Sequence, residues 1–311
     1  MSKIPHISIV SPVYGAQGIV HELVKRIEDG VQIITDNYEI VLIEDNSPDK
    51  SWQEIVEVTS NNKKVKGVRL SRNFGQHNAI SAGMEIAQGE YVVLLDCDLQ
   101  HDPKYLIELY QKVKQGYDLV YTRSITRKHS FLKNYSAKFY YRFLKFISDF
   151  DMDPNIGSFS MLSRKVVDAF NQYNDYNKAY LWALKWAGFS HTIINIEHNK
   201  RFHGKSSYNL KKLFIHAFNV TTANSNKLLY LSVYIGIGTS LLSFLGAIFI
   251  VYRYLTKGGF EGWSSLMVII MFFSGLILTA IGITAVYIAK VFEQTKGRPR
   301  YLVAEKINFD D

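Results

Sequence analysis

Apolar residues fall along the first 122 positions in short runs of two alternating kinds. Ile7-Ser8-Ile9-Val10, Tyr38 to Ile43, Val65 to Leu70, Tyr91 to Leu95 and Leu119-Val120-Tyr121 are brief, rich in β-branched and aromatic residues, and closed by turn or polar residues. Such runs predict strands, the most apolar of them buried on both faces. Between them, Ile19 to Ile27, Trp52 to Val58, Gln76 to Ala87 and Tyr105 to Val113 have the spacing of helices. Repeated alternation of strand and helix predicts an α/β domain built on a mostly parallel sheet covered on both faces. Ligands of such sheets bind beyond the carboxyl ends of the strands.

The pattern changes near the C-terminus. Leu228 to Tyr252 is 25 residues, and Gly262 to Ala289 is 28 residues, without one Asp, Glu, Lys or Arg. Each exceeds the roughly 20 residues that span a bilayer core. Core helices of a soluble domain would need a polar face that these stretches lack, so two membrane spans are expected. Lys205, Lys211, Lys212 and Lys227 precede the first span, and Lys290, Lys296, Arg298 and Arg300 follow the second. The connection holds Arg253, Lys257 and Glu261. The positive-inside rule then puts both ends in the cytoplasm and Gly258-Gly259 outside. Gly236, Gly238, Gly246, Gly275 and Gly282 allow close helix packing, within one chain or between the copies of a homo-oligomer.

Charge sharpens this division. The net charge is +8 with a pI near 9.2, which points to anionic partners, and 47% hydrophobic residues exclude a disordered chain. Tyr121 to Ser148 and His198 to Lys227 carry many Lys and Arg with no acid, and in the first the bases are interleaved with aromatic residues. Beside apolar spans, these stretches read as amphipathic helices at the membrane interface, about 130–149 and 208–224, and argue against nucleic acid. The expected organisation is a cytoplasmic α/β domain over 1–225, a two-helix transmembrane domain over 226–292, and a cytoplasmic tail over 293–311. One cysteine, Cys97, excludes an intramolecular disulfide and fits a reducing compartment. Met1 to His6 holds no apolar run, so no cleavable signal peptide is expected.

Candidate chemistry collects at the strand ends. The Tyr91 strand stops at Asp96, and Asp98 and Gln100 follow at alternate positions. If the backbone stays extended past Leu95, these three converge as hard oxygen ligands suited to Mg²⁺ or Mn²⁺, while Leu99 turns back into the core. The plainer alternative is a solvated loop, with Asp102-Pro103 starting a helix. The other strands end at Pro12-Val13-Tyr14, at Glu44-Asp45-Asn46-Ser47-Pro48-Asp49 and at Ser71-Arg72-Asn73-Phe74-Gly75. Four such edges meeting in one crevice could hold a nucleoside and, through the cation, a diphosphate. Neither Gly-x-Gly-x-x-Gly nor a P-loop is present, so neither a dinucleotide fold nor a P-loop site is indicated.

In these motifs, and in Arg201-Phe202-His203-Gly204-Lys205-Ser206-Ser207-Tyr208 and Gly297-Arg298-Pro299-Arg300-Tyr301, the chain resembles family 2 glycosyltransferases of the polyprenyl-phosphate type. These include dolichol-phosphate mannosyltransferase and bacterial bactoprenol-phosphate glucosyltransferases with two C-terminal spans. The resemblance implies a Rossmann-like GT-A fold. It assigns the nucleotide to Pro12, Tyr14, Glu44, Asp45, Asn73 and Asp96, the metal to Asp96, Asp98 and Gln100, the diphosphate to Arg201, and the lipid phosphate to Arg123 and Arg127. The family's Gly-Asp-Phe segment reads Gly157-Ser158-Phe159 here, with Ser158 in the acid's place.

The activity implied is inverting transfer from a nucleotide sugar, preferably a UDP-sugar, to undecaprenyl phosphate at the bacterial cytoplasmic membrane. Asp98, Arg201 and Ser158 are then the catalytic candidates. A processive polysaccharide synthase would carry Gln-x-x-Arg-Trp and more spans, neither of which is present. An inactive nucleotide-binding membrane scaffold has only Ser158 in its favour, against intact Asp96, Asp98 and Arg201.

Overall fold

Two strands buried at every position, β1 (Ile7–Val13) and β2 (Tyr38–Glu44), lie side by side in parallel at the middle of an eight-stranded sheet. The computed structural model describes residues 4–125, 153, 155–176, 178–197, 222, 225–257 and 262–309. The remaining strands are β3 (Val65–Leu70), β4 (Tyr91–Leu94), β5 (Leu119–Ile125), β6 (Ile156–Ser163), β7 (His191–Glu197) and β8 (Val303–Ile307). Their order is β7-β5-β6-β4-β1-β2-β3-β8. The pairs β1–β2, β1–β4, β2–β3 and β5–β7 are parallel, whereas β6 runs antiparallel between β4 and β5, and β8 antiparallel along β3.

Side chains alternate across the sheet and feed two cores. Ile7, Ile9, Ile40 and Leu42 pack toward α1 (Val20–Val31), α2 (Ser51–Asn61) and α4 (Leu106–Lys114). Val10, Val41 and Ile43 pack toward α3 (Gln76–Ile86), α5 (Arg164–Gln172) and α6 (Tyr180–Ala187). The approach of α3 depends on Gly83, where a Cβ would run into Val10. The strand predicted over Val65 to Leu70 coincides with β3, and α1 runs four residues beyond Ile27, to Val31.

The chain forms two compact units. One holds the sheet and its helices, and the residues from Arg298 onward belong to it. Within it, β8 pairs with β3, Leu302 O accepts the Ser71 N–H at 2.9 Å, and Arg300 Nη2 and Tyr301 OH both reach Glu85 on α3. Asn308, at φ 61°, donates from one amide nitrogen to the carbonyls of Thr59, Asn62 and Val65. The other unit contains α7 (Lys227–Lys257) and α8 (Trp263–Thr295), both long and apolar enough to cross a membrane. Their apolar windows are not buried in the protein, unlike core helices of a soluble domain. Tyr287 OH donates to Ser225 O at 2.7 Å within this unit.

Lys178 is 1% exposed, and its Nζ lies 3.8 Å from the centre of the Phe170 ring with no hydrogen-bond acceptor among the described residues. Burial, and next the nearby Arg300, push this amine down to about 7, with Glu85 pulling the other way. An amine whose folded value is depressed costs stability while the unfolded chain holds its proton, so the cost is full below about pH 7 and fades as pH rises toward the ordinary lysine range. Lys178→Met is therefore expected to raise Tm at pH 7 by about 2–8 °C, at ~1–2 kcal/mol and 2–4 °C per kcal/mol. It should also flatten the rise of stability between pH 7 and 9, which thermal unfolding across that range would read.

Candidate active site

The carboxyl ends of β1, β2 and β4 open, with the start of β6, on a cleft of about 470 Å³. Pro12, Val13 and Tyr14 form one wall, and Tyr14 is half exposed at the mouth. Asp45 follows β2, its N–H held by Val13 O at 3.0 Å. Its two carboxylate oxygens accept the backbone N–H groups of Phe74 (2.7 Å) and Gly75 (2.8 Å). Burial pushes the Asp45 carboxyl up, and those two N–H groups restrain the shift. Asp45 thus ties down the Ser71–Gly75 loop, which brings Asn73 and Gly75 to the cleft.

Glu44 does not join it. The side chain is 1% exposed, accepts the Ser47 N–H and lies 3.4 Å from Arg69 Nε, so it braces the turn. Strand alternation sends neighbours to opposite faces, which sets the last residue of β2 apart from Asp45.

After β4 the backbone does not stay extended as the alternating acids suggest. Regular strand ends at Leu94, the chain turns through Cys97 and Asp98, and Leu99 adopts φ 57°. That left-handed residue puts the Leu99 side chain into the core, where it is 3% exposed. Asp96, Asp98 and Gln100 still all line the cleft, by way of a turn and not a pleat. Cys97 packs against the core on the α1 side, and burial raises its thiol to about 12, so it remains protonated between the two acids.

Asp96 Oδ1 accepts from Gln76 Nε2 at 2.9 Å, and Oδ2 accepts from Ser158 Oγ. Asp98 Oδ1 accepts the Gln100 N–H at 3.1 Å. His101, stacked 5.4 Å from Phe159, lines the cleft beside Gly157 and Ser158. Among the described residues no group of three His, Cys, Asp or Glu side chains could hold a metal. Two carboxylates with an amide and a hydroxyl nearby do not make a zinc site. They do fit Mg²⁺ or Mn²⁺, which take one or two carboxylates and complete their shell from water and phosphate.

Arg123 stands on β5 and is not among the cleft-lining residues. Its Nε is 2.8 Å from Asp153 Oδ2, an ion pair whose N–H is not aimed as a hydrogen bond. Arg127, Arg201, the stretch 130–149 and, apart from Thr222, the stretch 208–224 lie outside the described residues. Sequence reasoning had not singled out Gln76 or His101. The signal for Gln76 is its place directly after Gly75, where a positive φ of 92° starts α3 at the strand ends.

The family model for glycosyl transferase family 2 matches residues 8–170. An uncharacterized glycosyltransferase of Bacillus subtilis is 34% identical over 313 residues, covering 100% of this chain and 97% of that protein. An undecaprenyl-phosphate 4-deoxy-4-formamido-L-arabinose transferase of Shewanella sediminis is 30% identical over 308 residues, covering 97% and 93%. The crystal structure of a mycobacterial protein shares the fold, with a TM-score of 0.50 at 16% identity, over 70% of this chain and 73% of that one.

Proposed function

Because this chain belongs to glycosyl transferase family 2, we propose that its cleft moves a sugar from a nucleotide sugar, preferably a UDP-sugar, to undecaprenyl phosphate. The observation that carries the acceptor is the end-to-end match, through both apolar helices, to a transferase named for undecaprenyl phosphate. Topology supports a membrane hairpin. β7 and β8 belong to one sheet, so the chain between them must cross a bilayer an even number of times, and α7 and α8 supply two. That agrees with both ends of the pair on the cytoplasmic side.

In the reaction a phosphate oxygen of the lipid attacks the anomeric carbon, the bond from that carbon to the diphosphate breaks, and the nucleoside diphosphate leaves. The nucleophile is already anionic at neutral pH, so it needs little general-base help, and a serine at position 158 is compatible with turnover. What remains is alignment and stabilisation of the leaving charge. Pro12, Tyr14 and Asn73 flank the space for the nucleoside, with Asp45 holding the loop. Asp96 and Asp98, with Gln100, would hold Mg²⁺ or Mn²⁺, which when bound supplies positive charge against the departing diphosphate. Arg201 is assigned the same diphosphate by its motif, and Arg127 joins Arg123 at the lipid phosphate.

A single displacement inverts configuration, so an α-linked donor gives a β-linked lipid-phosphate sugar. The test is a panel of nucleotide sugars with undecaprenyl phosphate and Mg²⁺ or Mn²⁺ in detergent, with product NMR. Metal-dependent transfer with inversion is expected. Retention would overturn the mechanism, and nucleotide binding without transfer from any donor would favour a binding scaffold.

The Arg123–Asp153 pair adds an expectation. A carboxylate at 2.8 Å from this guanidinium occupies a place that suits a phosphate oxygen. Asp153→Asn should therefore lower KM for the lipid phosphate by about three- to tenfold, the equivalent of ~1 kcal/mol for a partly exposed pair. KM for the nucleotide sugar should not move. Initial rates with each substrate varied in turn would check this.

A further inference from the structure

We propose that Gln76 and Ser158 are positioning residues that aim Asp96, and that they set how tightly the cleft holds a divalent cation. This rests on the reading above that Asp96 and Asp98 hold such a cation. Asp96 lies past the regular end of β4, so the strand ladder does not set its orientation. Two neutral donors restrain it from separate rigid elements. Gln76, the first residue of α3, donates to Oδ1 at 2.9 Å, and Ser158 on β6 donates to Oδ2. The two donors sit on different oxygens of the carboxylate, Gln76 on Oδ1 and Ser158 on Oδ2, so together they fix the plane of the group that lines the cleft.

Both supports are themselves anchored. Ser160 Oγ donates to Ser158 O at 2.8 Å and shares a 2.7 Å hydrogen bond with Tyr180 OH, and Ser160 and Tyr180 are buried. The Tyr180 N–H in turn points to His77 Nδ1 at 3.5 Å, next to Gln76. At its other end, α3 is clamped through Glu85 by Arg300 and Tyr301. An acid at 158 would set a second carboxylate against Asp96, whereas the serine hydroxyl leaves the cation two carboxylates and a donor that fixes one of them. Such partners behind a ligand govern affinity as well as orientation.

The experiment is Mn²⁺ titration of the full-length protein in detergent, followed by EPR, with UDP present and absent. Ser158→Ala and Gln76→Ala should each weaken Mn²⁺ binding by about tenfold or more, within the 10–100-fold usual for such partners. Ser158→Thr, which keeps the hydroxyl, should return affinity to within about threefold of the parent. Gln76 is exposed, so its variant tests the idea even if a change on β6 disturbs folding. If the parent binds Mn²⁺ and both alanine variants bind it within about twofold of the parent, the positioning role is overturned while the cation reading stands. If the parent transfers sugar yet binds no Mn²⁺, the cation reading fails and this inference with it.

Discussion

Asp98→Ala is expected to lower the rate of sugar transfer by about a thousandfold or more, the equivalent of ~4 kcal/mol of transition-state stabilisation, in a protein that remains folded. The size follows from where the barrier lies. An anionic phosphate attacks without a base, so most of what the protein must provide is compensation for charge building on the leaving diphosphate. Of the acids lining the cleft, Asp45 ties down the Ser71–Gly75 loop, whereas Asp96 and Asp98 follow β4 two residues apart in one turn with Gln100 beside them, which makes them the pair suited to a cation. Asp98 sits in a turn, half-buried, where its carboxylate accepts the Gln100 N–H, so its loss should change Tm little. Single-turnover rates at saturating Mg²⁺, beside a thermal melt, would separate the two effects. A folded variant within tenfold of the parent would show that Asp98 does not hold the cation.

Removing residues 298–311 is expected to have the largest effect on stability. The tail ends β3's exposure as a sheet edge, with Gly67, Val68, Arg69 and Leu70 paired to Ile307, Lys306, Glu305 and Val303. It also supplies the three hydrogen bonds of Asn308 and the Arg300 and Tyr301 contacts to Glu85. At ~0.5–1.5 kcal/mol for each hydrogen bond, the loss is on the order of 5 kcal/mol or more, comparable with the whole stability of many domains. The truncated protein should therefore be recovered unfolded or with Tm lower by more than about 10 °C. The nucleotide side should suffer too, since Leu302 O holds the Ser71 N–H at the start of the loop that carries Asn73. The milder Arg300→Ala keeps β8 and should melt a few degrees low, at ~1–2 kcal/mol. Melting of the truncated form within about 2 °C of the parent would show that the strand adds nothing.

The sequence by itself determined the alternating α/β core, both apolar helices and most of the cleft's lining. A strand buried on both faces must be written as a continuous apolar run, as in β1, β2 and Tyr91–Leu94, and a span must be apolar for its full length. Such signals are local, and the ends of parallel strands are where a cleft forms, so the place of Pro12, Tyr14, Asp45, Asn73, Asp96, Asp98 and Gln100 along it was legible in the sequence.

Tertiary structure alone decided the rest. β8 is largely exposed and carries no apolar pattern, and only its pairing with β3, far away in the chain, makes it a strand of the sheet. Glu44 and Asp45 are adjacent and alike in charge, and which of them lines the cleft depends on strand parity within the assembled sheet. The turn through Cys97 and Asp98, with Leu99 left-handed after it, brings Asp98 and Gln100 to the cleft in a way no two-residue periodicity describes. Gln76, Asp96 and Ser158 come from a helix, a turn and an antiparallel strand, and Asp153 meets Arg123 across another such gap. Side-chain period records which way a residue faces within its own element; which elements face one another is set by long-range packing, and that is where the carboxylate acquires its aim.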